Sequence, residues 1–252
     1  MQEKKVTWRF RVIKWLVRTF YKKYKIYGLE NLPDEPCIVV GNHCQLHGPL
    51  ACELYFPAHK YIWCAGQMMH LKEVPAYAFE DFWSQKPKRS QWYYKLCSYL
   101  IAPLSVCIFG NAHTIPVYHD ARLITTFKES MRLLAQGANM IVFPEYDKKH
   151  NEILYDFQRN FIDIAKYYHR REKKELCFVP MYIAPKMKAV YLGKPTRFSA
   201  EAGIDTERDR ITDYLMREIT EIARALPEHT VTPYRNIPKK LYPKNTDRKE
   251  YQ

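Results

Sequence analysis

Polar side chains capable of acid–base chemistry follow three predicted strands of the sequence. Each strand is a short apolar run, and the polar groups stand directly after it. Because ligands of open α/β sheets bind beyond the carboxyl ends of the strands, groups about 100 positions apart in the chain are expected to share one cleft. The strands and their polar groups are Cys37–Val40 with Asn42 and His43, Ile115–Tyr118 with His119 and Asp120, and Asn139–Phe143 with Glu145.

Histidine is well suited to take a proton from an alcohol near neutral pH, because its ordinary pKa of about 6.5 lies close to the operating pH. His43 is therefore the predicted general base. His47 stands four positions later and on a helix would share a face with His43. The pair leaves two other chemistries open: a zinc site with Cys44 and Cys52 nearby, and a nucleophilic Cys44. The middle residues lack the glutamate of a metalloprotease helix, and we expect no metal.

The elements that carry these groups alternate between short strands and helices. This alternation predicts an α/β fold with a mostly parallel central sheet flanked by helices. The helix that follows the second predicted strand ends at Gly137, a suitable C-cap. Further strands are predicted at Tyr61–Ala65, Leu176–Tyr182 and Ala189–Leu192, and helices at Arg122–Gln136 and Glu207–Leu226.

Residues 1–25 are predicted to form an amphipathic helix. Basic residues recur every three or four positions from Arg11 to Lys25, and apolar residues from Phe10 to Tyr24 recur in the same way on the other side. Such a helix suits an anionic membrane surface, and the alternative is a helix packed on the core with its charges in water. The formal net charge of +13 (40 − 27) also favours an anionic partner.

The rest of the chain is predicted to form an α/β domain over 26–230 and a basic tail over 231–252. The apolar run Leu96–Phe109 has 14 residues and contains Pro103, which predicts a buried core helix or an interfacial segment rather than a membrane span. Six Lys or Arg and three Pro between Pro233 and Gln252 predict a loosely held surface arm. Seven scattered cysteines without a CxxC pair or a signal peptide favour reduced thiols in the cytosol.

Five short segments, in order over about residues 26–200, together resemble the glycerolipid acyltransferase superfamily of lysophosphatidic acid and glycerol-3-phosphate acyltransferases. The resemblance implies transfer of a fatty acyl group from a thioester of coenzyme A or acyl carrier protein to a hydroxyl of a glycerolipid-like acceptor. The thioester is a co-substrate, and no cofactor is implied. The five segments are Val40–His43, Ile115–Tyr118, Ile141–Glu145, Val179–Ile183 and Gly193–Pro195.

The resemblance also implies roles for individual residues. His43 is the general base, and Asn42 shapes the turn that presents it. Glu145 and a basic residue near the second motif, His119 or Arg122, hold the polar headgroup of the acceptor. Tyr146 and Lys148 are further predicted contacts to an acceptor phosphate.

The chain departs from the family pattern at three positions. Gly48 stands five residues after His43, where the family has an aspartate that orients the histidine ring. His119 replaces an arginine, and Tyr146-Asp147-Lys148 replaces Gly-Thr-Arg. Either His47 or Glu145 is therefore expected to orient the His43 ring, or no group orients it.

Two functions are compatible with these features. The first is a cytoplasmic acyltransferase, peripheral on the inner face of the membrane, in lipid metabolism and phospholipid biosynthesis. The alternative is a weak or inactive protein of the same fold that binds lipid or acyl-thioester. Nucleic-acid binding is disfavoured, because no zinc finger, helix-turn-helix or RNA-binding aromatic motif occurs.

Overall fold

The computed structural model describes residues 6–118 and 120–248. The helices within these ranges are α1 (Trp8–Phe20), α2 (His47–Tyr55), α3 (Val74–Ala78), α4 (Gln91–Asn111), α5 (Leu123–Ala135), α6 (Asp163–Glu172) and α7 (Ile204–Ala225). The strands are β1 (Lys25–Tyr27), β2 (Cys37–Gly41), β3 (Lys60–Ala65), β4 (Thr114–Val117), β5 (Asn139–Val142), β6 (Glu145–Lys149), β7 (Tyr155–Phe157), β8 (Cys177–Ala184), β9 (Ala189–Leu192) and β10 (Thr196–Arg197).

The chain divides into two compact units. The first comprises the described part of Met1–Lys22 together with Ile62–Glu129, and the second comprises Lys23–Tyr61 and the described part of Ser130–Gln252. The predicted segments 1–25, 26–230 and 231–252 follow different boundaries, and they stay a prediction.

The second unit is built on a sheet whose central strands are buried. Every residue of β2, β5 and β8 is buried, which is typical of strands covered on both faces. β2 runs parallel to both β5 and β8, and β1 runs parallel to β9. β9 and β10 run antiparallel to β8. The neighbours follow the order β1, β9, β8, β2, β5.

Helix α7 packs against β8 of this sheet. Its buried residues Ile211, Leu215, Ile219 and Ala223 recur every four positions, which gives the helix one apolar stripe. In the first unit β3 and β4 form a further parallel pair. The predicted α/β class, with a mostly parallel sheet flanked by helices, is confirmed.

Helix α1 of the first unit begins where the side chain of Thr7 accepts a hydrogen bond from the backbone N–H of Phe10. The predicted N-terminal helix is therefore present over Trp8–Phe20. Phe10 is buried, so the predicted apolar arc partly packs inward. Trp8, Trp15 and Phe20 are 70%, 66% and 81% exposed, and they lie on the solvent side.

Helix α4 differs from the prediction for this part of the chain. Pro103 lies inside a continuous helix of 21 residues instead of breaking it. The alternative of a buried core helix is wrong, because only 17% of its most apolar window is buried. Its fully buried residues are the small Ser98, Ala102 and Ser105. Ile101, Val106 and Phe109 pack partly buried against the core, whereas a second set of large side chains is exposed: Trp92, Tyr93, Leu96, Tyr99, Leu100 and Leu104.

The C-terminal tail also differs from the prediction, because it is not loosely held. Asn245 is completely buried, and its side-chain N–H groups donate to the carbonyl oxygens of Ala223 (2.8 Å) and Leu226 (3.1 Å). Its Oδ1 accepts from the backbone N–H of His229 at 2.8 Å. This one amide fixes the tail to the end of α7, a contact that leaves no periodic signal in the sequence.

Replacing Asn245 by alanine is therefore expected to destabilise the second unit. The change leaves buried backbone groups without partners, and each such group costs about 1–3 kcal/mol. We expect the free energy of unfolding, measured by urea denaturation, to fall by about 2–4 kcal/mol. Asn236→Ala, at an exposed position, is the matched control and should leave it unchanged. Equal stability of the two variants would contradict the anchoring role.

Candidate active site

Asn42 fixes the end of the central strand β2. Its Nδ2 donates to the carbonyl oxygen of Ile183 at 3.0 Å, and its Oδ1 accepts from the backbone N–H of the same residue at 2.7 Å. The side-chain amide thus makes the same two hydrogen bonds as the backbone of a paired strand residue, and it extends the pairing of β2 with β8 by one residue. Asn42 is 2% exposed and shapes the turn into His43, as its predicted role requires.

The loop after His43 has an unusual backbone. Cys44 and Gln45 have φ angles of 48° and 56°, a left-handed conformation that non-glycine residues rarely adopt. Two consecutive residues of this kind cannot continue an α-helix, and α2 begins only at His47. His43 therefore does not share a helical face with His47, and the basis for His47 as the ring-orienting residue is wrong.

Gly48 is required by the same loop. A Cβ at this position would overlap the carbonyl oxygen of His43 and approach Phe143 Cε1 to 3.1 Å. The backbone N–H of Gly48 donates to that carbonyl oxygen at 3.1 Å, which keeps the beginning and the end of the turn close together. No aspartate fits at this position without a shift of the loop backbone.

Glu145 bridges two backbone segments. Its Oε2 accepts from the backbone N–H of His43 at 2.6 Å, and its Oε1 accepts from the backbone N–H of Tyr155 at 2.9 Å. Burial raises the pKa of Glu145 to about 7, and the two N–H groups oppose that rise. Neither oxygen bonds to the imidazole, so the expectation that Glu145 orients the ring is not met. Glu145 instead fixes the peptide from which the ring projects.

The His43 ring is held by aromatic rings. Phe143 meets it at a centroid distance of 5.4 Å and an interplanar angle of 70°, and Tyr234 meets it at 5.8 Å and 88°. Nδ1 is enclosed and has no hydrogen-bond partner within the part of the chain that the structure describes. Burial lowers the pKa of His43 to about 4, with a smaller opposing effect of the Gln45 backbone. The imidazole is therefore neutral at pH 7 and able to accept a proton.

A segment of the tail, the C-terminal loop (Thr230–Lys244), reaches this site, and we did not predict this contact from the sequence. Gln45 Nε2 donates to the carbonyl oxygen of Arg235 at 3.2 Å and lies 2.9 Å from Tyr242 Oη. The Arg235 guanidinium donates to Asp147 at 2.9 Å. The loop therefore contacts both the His43 turn and β6. Aromatic residues between prolines are its only sequence signal.

His47 lies near two cations that sequence reasoning also missed. Burial lowers the pKa of His47, and the positive charges of Lys186 and Lys239 lower it further. Lys186 follows β8, and Lys239 belongs to the C-terminal loop. Because the two lysines raise the local potential, this side of the site favours an anionic group.

The other predicted binding residues already have partners. Tyr146 Oη donates to Asp156 at 2.8 Å, and Lys148 lies 3.8 Å from the same carboxylate. Arg122 belongs to the first unit, where it binds Asp120 through two nitrogens and lies over the Tyr118 ring at 3.9 Å. The prediction for His119 lies outside the described residues.

Cys44 is not suited to nucleophilic attack. It is 1% exposed, its thiol donates to the carbonyl oxygen of Ile183 at 3.3 Å, and burial raises its pKa well above the usual range. A thiol in this state is protonated, so the alternative of a nucleophilic Cys44 is wrong. Over 6–118 and 120–248, no three His, Cys, Asp or Glu side chains are grouped as metal ligands.

Comparison with known proteins finds similar solved structures. No family model matches the chain, and no curated protein sequence matches it. The chain is similar to the crystal structure of the 1-acyl-sn-glycerophosphate (LPA) acyltransferase, PlsC, from Thermotoga maritima. The TM-score is 0.49 and the sequence identity 17%, over 88% of this chain and 80% of the other.

The contact at Gly48 yields a direct prediction. Gly48→Ala forces the His43 turn to move and should lower the free energy of unfolding by about 1–3 kcal/mol, the usual cost of overpacking. Gly110→Ala is the matched control, because its Cβ would meet nothing within 4 Å and alanine favours the helix. Chemical denaturation of both variants tests the point, and a Gly48→Ala protein as stable as the control would refute the steric explanation.

Proposed function

We propose that this protein is a membrane-associated acyltransferase that moves a fatty acyl group from a coenzyme A or acyl carrier protein thioester to a hydroxyl of a glycerolipid-like acceptor. The observation that carries the proposal is the bond of 2.6 Å between Glu145 and the backbone of His43. It joins the first and third motifs of the acyltransferase resemblance at the ends of neighbouring parallel strands, where an α/β fold binds its ligands.

In this proposal His43 acts as the general base. The acceptor oxygen attacks the thioester carbonyl, its proton passes to the neutral imidazole, and a new C–O bond forms. The C–S bond then breaks, and the proton passes from the imidazolium to the leaving thiolate. The thioester supplies the leaving group, so the reaction needs no further reactant.

The absence of a carboxylate beside the ring predicts slow turnover. In serine hydrolases the change of the orienting aspartate to asparagine lowers kcat about 10⁴-fold. Here the carboxylate of Glu145 holds the backbone instead, and the described neighbours of the ring are Phe143, Tyr234 and the backbone of Gln45, none of which carries a charge. The same observation favours the alternative function, a protein that binds lipid or acyl-thioester with little or no turnover.

An anionic acceptor headgroup is proposed to lie beside Lys186 and Lys239. These lysines act on His47, and neither forms an ion pair with any residue in 6–118 or 120–248. Tyr146 and Lys148 stay proposed contacts, although Asp156 competes for both. The proposed roles of His119 and Arg122 rest on the resemblance alone.

Membrane association is proposed to involve α4 together with α1. The segment Lys88–Asn111 is the one helix of the described chain that is long and apolar enough to cross a membrane. Trp92, Tyr99 and Leu100 of α4 are 70%, 67% and 71% exposed. A contiguous exposed face of large apolar side chains marks an interaction surface, such as a lipid surface, rather than an ordinary solvated helix.

Charge and aromatic content favour the surface of an anionic membrane over a span. The exposed tryptophans of both helices suit the boundary between headgroups and acyl chains, and Arg9, Arg11, Lys88 and Arg89 suit anionic lipid. This supports a peripheral location on the cytoplasmic face of the membrane.

Mass spectrometry of acyl transfer tests the enzyme. The protein, bound to vesicles, meets long-chain acyl-coenzyme A or acyl carrier protein with a panel of lyso- and glycerol-based acceptors. We expect a new ester that falls at least about 100-fold in His43→Ala, the usual contribution of a general base. His59→Ala, which removes an exposed histidine, is the matched control. Ester formation that survives in His43→Ala contradicts the proposed base, and binding without any ester supports the alternative function.

Flotation with vesicles of phosphatidylglycerol and phosphatidylcholine tests the membrane surface. The triple variant Trp92→Ser, Leu96→Ser, Leu100→Ser should bind at least about 100-fold more weakly, because each large apolar side chain contributes about 1.5–3 kcal/mol when buried. Ile124→Ser, 59% exposed in the same unit, is the matched control. Binding of the intact chain should also weaken as salt rises. Equal flotation of triple variant and control would contradict the role of α4, and binding to duplex DNA instead would contradict a lipid partner.

A further inference from the structure

The C-terminal loop is a closed structure rather than a trailing end. Thr230 and Lys244 pair in an antiparallel bridge, and the backbone N–H of Val231 donates to the carbonyl oxygen of Pro243 at 2.8 Å. The ends of the loop therefore meet while its middle projects as one unit. Compact loops of this length with joined ends are frequently functional.

The base of the loop is anchored in the core of the second unit. His229 Nε2 lies 2.8 Å from Tyr182 Oη, and Asn245 clamps the other end. Val231 and Thr232 are 1% and 6% exposed. An anchored base means that the position of Tyr234, two residues further on, is set by the fold.

Tyr234, which belongs to the C-terminal loop, contacts both the turn that carries His43 and strand β7. Its ring meets the His43 ring at a centroid distance of 5.8 Å and nearly at a right angle. This contact is separate from that of Phe143, whose ring centroid lies 5.4 Å from that of the imidazole. It also meets Tyr155 at 5.6 Å, and the backbone N–H of Tyr155 is held by Glu145. The Glu145 carboxylate therefore binds the backbone of His43 and also the backbone of Tyr155, whose ring contacts Tyr234.

We propose that Tyr234 is a positioning residue for His43, and that its ring fixes the imidazole in the place of the carboxylate that Gly48 excludes. The proposal deepens the proposed function, since it names the group that positions its general base. Tyr234 acts through His43 and need not touch the substrate.

The physical limits of this arrangement define what it does. An aromatic pair contributes about 0.5–1.5 kcal/mol beyond its buried area, enough to select one ring orientation. It keeps water from the imidazole, which agrees with the lowered pKa of His43. It does not provide the negative charge that would stabilise the imidazolium, so proton transfer stays slower than with a carboxylate.

Other titratable groups near His43 must be separated from the effect of Tyr234. Glu145 and Asp147 lie on β6, and Tyr155 lies on β7. Cys44 lies on the same turn as His43, and His47 is the first residue of α2. Lys186 follows β8, and the C-terminal loop carries Arg235, Lys239 and Tyr242. A direct readout of the His43 ring is therefore required, because a pH profile of activity also reports Glu145.

Nuclear magnetic resonance of the full chain with ¹³C-labelled histidine supplies that readout. The His43 signal is assigned as the one lost in His43→Gln, and each variant is titrated from about pH 3 to 8, a range that contains the lowered pKa of about 4. In the unaltered protein the ring should stay neutral down to about pH 5. In Tyr234→Ala water reaches the imidazole, the charged form is no longer penalised, and the midpoint should rise by at least about one pH unit toward 6.5. Tyr234→Phe keeps the ring contact and should titrate like the unaltered protein.

Tyr27→Ala is the matched control, because it removes a ring that stacks on Tyr191 at 5.0 Å. It should leave the His43 titration unchanged. In the acyl-transfer assay Tyr234→Ala should lower kcat about tenfold with KM changed less than about twofold, and Tyr234→Phe should restore kcat. A His43 midpoint that is the same in Tyr234→Ala and the unaltered protein overturns the proposal.

Arg235→Ala keeps the test decisive if Tyr234→Ala does not fold. It keeps the Tyr234 side chain but cuts the ion pair that holds the neighbouring Arg235 to Asp147, so the Tyr234 ring is held less firmly against His43 and the midpoint should shift in the same direction by a smaller amount. No shift in that variant would overturn the proposal. The titration requires no turnover, so a shifted midpoint in a protein that makes no ester supports the positioning role and rejects only the enzyme.

Discussion

The bond between the Glu145 carboxylate and the backbone N–H of His43 is the interaction on which the rest of the site depends. A buried carboxylate is tolerated only where its oxygens find donors, and both oxygens of Glu145 find backbone N–H groups. One belongs to the turn after β2 and the other to β7. The carboxylate thus joins β7 to a turn that lies 102 residues before Glu145 itself, and it sets the position of His43 through its peptide rather than its ring.

The form of this turn leaves no room for an aspartate at position 48, where the acyltransferase resemblance led us to expect one. Cys44 and Gln45 occupy the left-handed region, the carbonyl oxygen of His43 turns toward Gly48, and no space remains for a Cβ there. Loss of the carboxylate and the shape of the loop are therefore one feature. Strained backbone is retained where the surroundings enforce it, and here Asn42 and Glu145 fix both sides of His43.

The sequence predicted elements whose signal is local and missed contacts made by the backbone. Apolar runs located β2, β5 and β8, and Gly137 marked the end of α5 with a φ of 88°. Glu145 was found but not its partners, because peptide N–H groups have no sequence signature. The left-handed residues of the turn are not glycines, so the sequence did not indicate that the turn separates His43 from the helix of His47. The tail is anchored by the single residue Asn245, which leaves no pattern in the sequence.

The distribution of charge in the site suits the two proposed substrates, an acyl thioester and an acceptor with an anionic headgroup. Around the reacting position the imidazole is neutral, the thiol of Cys44 is protonated, and the nearest rings are apolar, a setting that suits an uncharged thioester and a long acyl chain. Positive charge is confined to one side, where Lys186 and Lys239 act on His47. Because isolated cations attract anions over several ångströms, an acceptor with an anionic end and a neutral hydroxyl would be drawn in with that hydroxyl toward His43. If the proposed function holds, a site that is neutral around His43 and basic beside His47 would select the orientation of the acceptor before any proton moves.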